Sequence, residues 1–87
     1  MVAFFFAMEY IVYVLFSESY SKHYRGFTSN LMQRLLSHNE LGDDWTKSYR
    51  PWRVIYTREF PSKGEAMQYE KWLKTGAGRD FISSLKH

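Results

Sequence analysis

A chain of 87 residues fits one small domain built on a single core. Aromatic residues make up 20% of it, so a few side chains can bury much area, and there is no cysteine, which excludes a disulfide scaffold or a zinc–thiolate centre and leaves oxygen and imidazole to hold any metal. A net charge of +3 and a pI of ≈ 9.3 mildly favour an anionic partner and fall short of identifying one.

The stretch Met1–Ala7 is apolar, but it has no basic start and no cleavage site, and it is far too short to span a bilayer. Residues 1–9 are expected to be a disordered lead-in or an upstream extension with Met8 as an alternative start; residues 10–87 form the single domain. No other segment is membrane-like, so a soluble cytoplasmic protein is the expectation.

Tyr10 to Phe16 is a continuous Val- and Tyr-rich run, which predicts a strand buried on both faces. Ser17 to Ser21 is a polar turn, and Lys22 to Phe27 returns as the second arm of a hairpin. Gly26 would permit a bulge or a close backbone approach. Thr28, Ser29 and Asn30 are helix N-cap residues ahead of a predicted helix from Leu31 to His38. Asn39 to Ser48 is a polar loop. Pro51 precedes a strand from Trp52 to Phe60 whose alternation is imperfect. Ser62 and Glu65 form a capping box that opens a helix running to about Lys74, which Gly76 and Gly78 stop. Asp80 to Leu85 is a short last helix. The order β-β-α-β-α-α, with a hairpin that demands antiparallel pairing, predicts an α+β domain around a small antiparallel sheet.

Glu70 falls inside the apolar stripe of its helix, between Ala66 and Met67. Such a carboxylate either snorkels or pairs with a cation at the stripe's edge, or it holds a metal, and periodicity does not separate these readings. Arg34 and His38 are four residues apart on one helical face. They suit phosphate binding and proton transfer, and equally a solvated flank with a histidine favoured at a helix C-terminus. Tyr13 and Tyr24 stand on adjacent strands, where tyrosine is expected by propensity alone. Lys22, Arg25, Lys47, Arg50 and Arg53, with Tyr49 and Trp52, either line a nucleic-acid surface or form an ordinary solvated face. There is no Gly-rich phosphate loop, HExxH or nucleophile triad pattern.

Taken in order, Tyr10-Ile-Val-Tyr-Val-Leu, Tyr24-Arg-Gly-Phe-Thr-Ser-Asn-Leu, Arg34-Leu, His38-Asn, Arg50-Pro-Trp, Val54-Ile-Tyr, Glu65-Ala and Glu70-Lys-Trp-Leu-Lys resemble a GIY-YIG nuclease domain from about Tyr10 to Leu85. The resemblance is to small stand-alone bacterial proteins of that superfamily. It implies a three-stranded antiparallel sheet flanked by helices and phosphodiester cleavage, most naturally of DNA, with one divalent cation, Mg²⁺ or Mn²⁺. By the same resemblance Tyr24 would activate water, Tyr13 would position it or share the proton, Arg34 would hold the phosphate, His38 would assist proton transfer and Glu70 would bind the metal. Lys22, Arg25, Arg50 and Lys74 would contact nucleic acid, with Thr28 and Asn30 capping the first helix beside the site.

The chain also departs from the family pattern. Ile11 stands where the name motif has glycine, Arg25 replaces an aliphatic residue, and Phe27 stands where repair-type members carry lysine. Phe81 and Ile82 occupy the stretch where many members have an asparagine. These departures keep two rivals in view: a non-catalytic nucleic-acid-binding module of the same fold, and a protein-interaction domain whose aromatic surface includes Phe4 to Phe6. A protein partner for targeting is compatible with all three readings.

Overall fold

The computed structural model describes residues 10–41 and 48–85. The expected lead-in over residues 1–9, with Phe4 to Phe6, and most of the polar loop, with Lys47, lie outside the described residues.

Strand β1 (Tyr10–Ser17) is the centre of a three-stranded antiparallel sheet of order β2-β1-β3, flanked by β2 (Lys22–Thr28) and β3 (Arg53–Phe60). A central strand between two layers needs apolar groups on both sides, which is why β1 reads as a continuous run rather than an alternating one. Val12 and Val14 point to one face, and Tyr13 and Leu15 to the other; all four are buried. The imperfect alternation expected of the third strand has a physical cause. The pairing shifts between Val14↔Tyr56 and Leu15↔Val54, so β3 carries one extra residue there. That bulge lets Ile55 and Tyr56 both pack on the Val12/Val14 side, while Val54 packs on the other.

Helix α1 (Leu31–Leu36) starts at Asn30, whose side chain accepts a hydrogen bond of 3.1 Å from the Gln33 amide. The expected helix to His38 is shorter than predicted: from Ser37 to Leu41 the backbone widens into a π turn. Such turns recur at functional sites, and this one takes His38 off the regular i,i+4 row it would share with Arg34.

Helix α2 (Lys63–Trp72) opens on the predicted Ser62 cap, which accepts from the Glu65 amide at 3.2 Å. Helix α3 (Gly76–Ser84) begins earlier than Asp80. Gly76 and Gly78 therefore open α3 as well as closing the preceding helix, because the Thr75 hydroxyl accepts from the Gly78 amide at 3.2 Å and supplies a cap. Gly78 is required by contact: a Cβ there would collide with the Trp72 carbonyl and the Leu73 backbone. The close approach seats Ile82 beside Leu73, Ala66, Val12 and Val14 in a dry core. Each of the Val, Leu and Ile side chains there contributes ~1.5–3 kcal/mol by burial.

Candidate active site

Antiparallel register sets the first part of the site. Tyr13 lies opposite Gly26, and Tyr24 opposite Leu15, so both tyrosines project from the same face of the hairpin. The Tyr13 ring lies across Gly26: a Cβ at that position would come within 2.6 Å of the Tyr13 Oη and 2.8 Å of its Cζ. No other residue type leaves room for the phenol to reach over β2, so the close approach expected of Gly26 is met by Tyr13. The two tyrosine rings are 6.2 Å apart by their centroids.

His38 comes in from the π turn and is 1% exposed. Its Nε2 lies 3.2 Å from the Tyr13 hydroxyl, and its ring lies 4.6 Å from that of Tyr24. It is neither a solvated flank nor a group open to substrate; it backs the two tyrosines. Asn39 fixes the turn that carries it. The Asn39 amide donates to the Trp52 carbonyl at 3.1 Å, and its Oδ1 accepts from the Trp52 amide at 2.6 Å.

Arg34 approaches Tyr13 from α1. Burial raises the Tyr13 pKa, and the Arg34 hydrogen bond pulls it part of the way back. The same contact with Tyr13 raises the Arg34 pKa, so the guanidinium is charged at any working pH. A guanidinium only donates. The arrangement that satisfies all three groups has Arg34 donating to the Tyr13 oxygen and the Tyr13 O–H donating to His38 Nε2.

Glu70 comes from α2. The residue is 9% exposed and its Oε2 lies 2.7 Å from Lys74 Nζ, an i,i+4 pair. Tyr13, Tyr24, Arg34 and Glu70 all line one cleft of ≈ 590 Å³, together with Gly26, His23, Phe27, Arg25, Lys74 and Arg79. Glu70 is the one carboxylate in that lining. Among the described residues no group of three or more His, Cys, Asp or Glu is placed to hold a metal. The donor set is thus one carboxylate with phenol oxygens nearby, which leaves most ligand positions to water and phosphate. That suits a hard cation such as Mg²⁺, which keeps its hydration, and does not suit zinc. The Lys74 side chain is 58% exposed and can swing away to admit one.

The remaining candidates divide. Arg25 and Lys74 line the cleft. Thr28 and Asn30 are spent on the α1 cap, with the Asn30 amide donating to Thr28 Oγ1 at 3.0 Å. Lys22 lies over the Tyr49 ring at 5.5 Å, and Arg50 donates to the Asn39 carbonyl at 3.3 Å; neither is in the cleft lining. Trp52, weighed as a stacking surface, is 3% exposed and belongs to the core beside Tyr13 and Leu15. Arg53 pairs with Glu18 at 3.7 Å on an exposed flank. Sequence reasoning missed Arg79, His23 and the clamping role of Asn39, since no local pattern marks which loop amide or late arginine folds back to the hairpin. Among the described residues no helix is long and apolar enough to cross a membrane.

Comparison with known proteins agrees with this fold. The GIY-YIG catalytic domain family matches residues 9–79. A UPF0213 protein of Staphylococcus haemolyticus is 42% identical over 53 residues, covering 60% of this chain and 65% of that protein. One from Bacillus pumilus is 42% identical over 53 residues, with 60% and 54% covered. One from Oceanobacillus iheyensis is 37% identical over 67 residues, with 76% and 77% covered. The matched segment thus spans from about half to about three quarters of these relatives. The solution NMR structure of a UPF0213 protein from Bacillus halodurans superposes with a TM-score of 0.53 at 31% identity, covering 88% of this chain and 84% of that one.

Proposed function

The chain belongs to the GIY-YIG family, and from that membership we propose that it is a divalent-metal-dependent endonuclease that hydrolyses phosphodiester bonds, with DNA as substrate. The observation that carries the proposal is the convergence of Tyr13, Tyr24, Arg34 and Glu70 on one cleft.

Each residue has a role that its surroundings support. Tyr24 lines the cleft and lies on the same face as Tyr13, so as the phenolate its oxygen takes the proton of the attacking water and becomes the phenol. Positive charge favours an anionic base, and Arg34 stands in the same cleft. The water oxygen bonds to phosphorus, the P–O bond to the leaving nucleotide breaks, and solvent protonates the departing oxygen. Arg34 binds the phosphate and holds the charge that develops on it. Tyr13 is kept protonated by burial and bonded to His38, so this pair fixes the hydroxyl and Arg34 rather than supplying the base. Glu70 holds the metal, Mg²⁺ or Mn²⁺; when bound it supplies Lewis-acid polarisation of the phosphate.

One observation favours a second reading. Lys74 Nζ occupies the Glu70 carboxylate at 2.7 Å, which suits a module that binds nucleic acid without cutting it. A labelled panel of single-stranded, duplex, flapped and branched DNA, with RNA beside it, separates the two in Mg²⁺ and Mn²⁺. The nuclease reading expects wild type to cut at least one substrate and Arg34→Ala and Tyr24→Phe to lose that activity. Salt-sensitive binding with no cutting in either metal would replace it with the binding module.

A further inference from the structure

The strand β2 is an edge strand, and its two faces carry different chemistry. Tyr24 and Gly26 project to the Tyr13 side, whereas Arg25 pairs with Val14 and projects to the side covered by α2. The cleft nevertheless includes both Tyr24 and Arg25, so it wraps over the edge of β2. Arg34 serves one flank. The other flank holds Arg25, Lys74 and Arg79, a group of cations that the proposed cleavage reaction does not use.

Arg25 is held in place there. Its Nε donates to the Leu73 carbonyl at the end of α2, at 3.1 Å, which ties the guanidinium to the cleft wall without using its two outer nitrogens. Burial first, and the positive charge of Arg79 second, lower its pKa. Arg25 and Arg79 line the same cleft, where like charges repel, and among the described residues neither has a carboxylate partner. Glu70, the one acid in the lining, is already paired with Lys74. An anion placed between Arg25 and Arg79 relieves the repulsion, and phosphate is the anion whose geometry a pair of guanidinium forks matches.

We infer that Arg25 and Arg79, with Lys74 beside them, form a second phosphate site across the edge of β2 from Arg34, which holds the backbone phosphate next to the one being cut. The inference rests on the proposed function for the identity of the first phosphate, but the site itself is defined by its own residues. It narrows the ligand class. A single free phosphate or a mononucleotide fills one flank, whereas a strand with at least two consecutive phosphates fills both. The cleft therefore selects an oligonucleotide strand draped over the edge of β2. Arg25 becomes a specificity residue where the family pattern has an aliphatic side chain with no such capacity.

The test is binding of a fluorescent DNA oligonucleotide of the form the wild type prefers, in EDTA, across a salt series. Wild type is compared with Arg25→Gln, Arg79→Gln and Arg25→Lys. Arg79 is exposed and among the described residues its side chain makes no hydrogen bond or ion pair, so Arg79→Gln keeps the test valid if Arg25→Gln destabilises the chain. Each glutamine variant is expected to bind roughly 5–20-fold more weakly and to flatten the log–log salt slope by about 0.7–0.9, the loss of one phosphate contact, while Arg25→Lys keeps most of the slope. A neutral methylphosphonate at the phosphate flanking the cut should weaken wild type by a similar factor and Arg79→Gln by much less.

Salt slopes unchanged in both glutamine variants overturn the second site; if wild type still cuts and Arg34→Ala does not, the nuclease reading survives that failure. Flattened slopes with no cutting by wild type sustain the second site and overturn the nuclease reading instead.

Discussion

The two faces of the sheet are built to different ends. On one side Val12 and Val14 meet Ala66, Leu73 and Ile82, an aliphatic packing of two helices locked together at Gly78. On the other, Tyr13 and Leu15 meet Trp52, with Tyr24, Leu31 and Leu35 around them, and here the layer is one short helix and a π turn. The first face buries almost nothing that can react. The second buries a phenol and an imidazole and brings a guanidinium to them. Buried polar groups are costly unless each finds a partner, and here the partners are one another. The difference teaches where each kind of stability resides: the α2/α3 side holds the fold, and the α1 side holds a geometry. Glu70 joins them, rooted on the first side and opening into a cleft that the second side shares.

Mutations on the two sides should therefore separate stability from activity. Arg34→Ala is expected to cost ~10²–10³-fold in cleavage, the range for losing one preorganised donor to a developing charge, with little change in melting temperature. Ile82→Ala should do the reverse: a stability loss of ~2–5 kcal/mol by denaturant titration and near-normal activity per folded molecule. Equal effects of both variants on both readouts would erase the distinction between the faces. Gly26→Ala sits between them, since its Cβ would come within 2.6 Å of the Tyr13 Oη. Moving the ring or the strand is expected to cost ~1–3 kcal/mol of stability and to lower cleavage by displacing Tyr13.

A smaller effect concerns pH. Burial raises the pKa of Tyr13, and burial with the Tyr69 contact raises that of Tyr56. Folding thus favours the protonated phenols. That contribution is complete below the ordinary tyrosine value of about 10 and is lost as the pH climbs through the higher folded values. Thermal melts from pH 8 upward should fall above about pH 10, and less steeply in Tyr13→Phe. The smallest effect is expected at Trp72, 39% exposed and remote from the cleft lining. Trp72→Ala, which removes ring contacts with Tyr69 and Phe81, should cost ~0.5–1.5 kcal/mol of stability and leave cleavage intact.

Much of the fold could be read from local chemistry. The hydrophobic run of β1, the Ser62 capping box and the hairpin turn are short-range signals, and the structure follows them. The site was harder to read. Periodicity offered no reason to prefer Tyr13 among seven tyrosines, because its role depends on facing Gly26 across the hairpin. The family resemblance supplied that choice. His38 reads as part of a regular helix because a π turn has no propensity signature, and Trp52 reads as a surface aromatic because only the packed fold shows it behind Tyr13. Gly76 and Gly78 look like helix breakers until Thr75 is seen capping a helix that begins on them. The pairing of Glu70 with Lys74 was available at i,i+4, but the gathering of Arg25 and Arg79 depends on where the end of α2 meets β2.

The central claim is that Glu70 and the tyrosine–arginine group act as one site. The most direct measurement is single-turnover cleavage of the preferred DNA substrate by wild type and Glu70→Gln across a Mg²⁺ titration, with binding measured in parallel. The account predicts Mg²⁺-dependent cutting by wild type, a fall of roughly 10³-fold or more in Glu70→Gln, and retained binding in both. Cutting by Glu70→Gln at the wild-type rate and with the same Mg²⁺ dependence would contradict it.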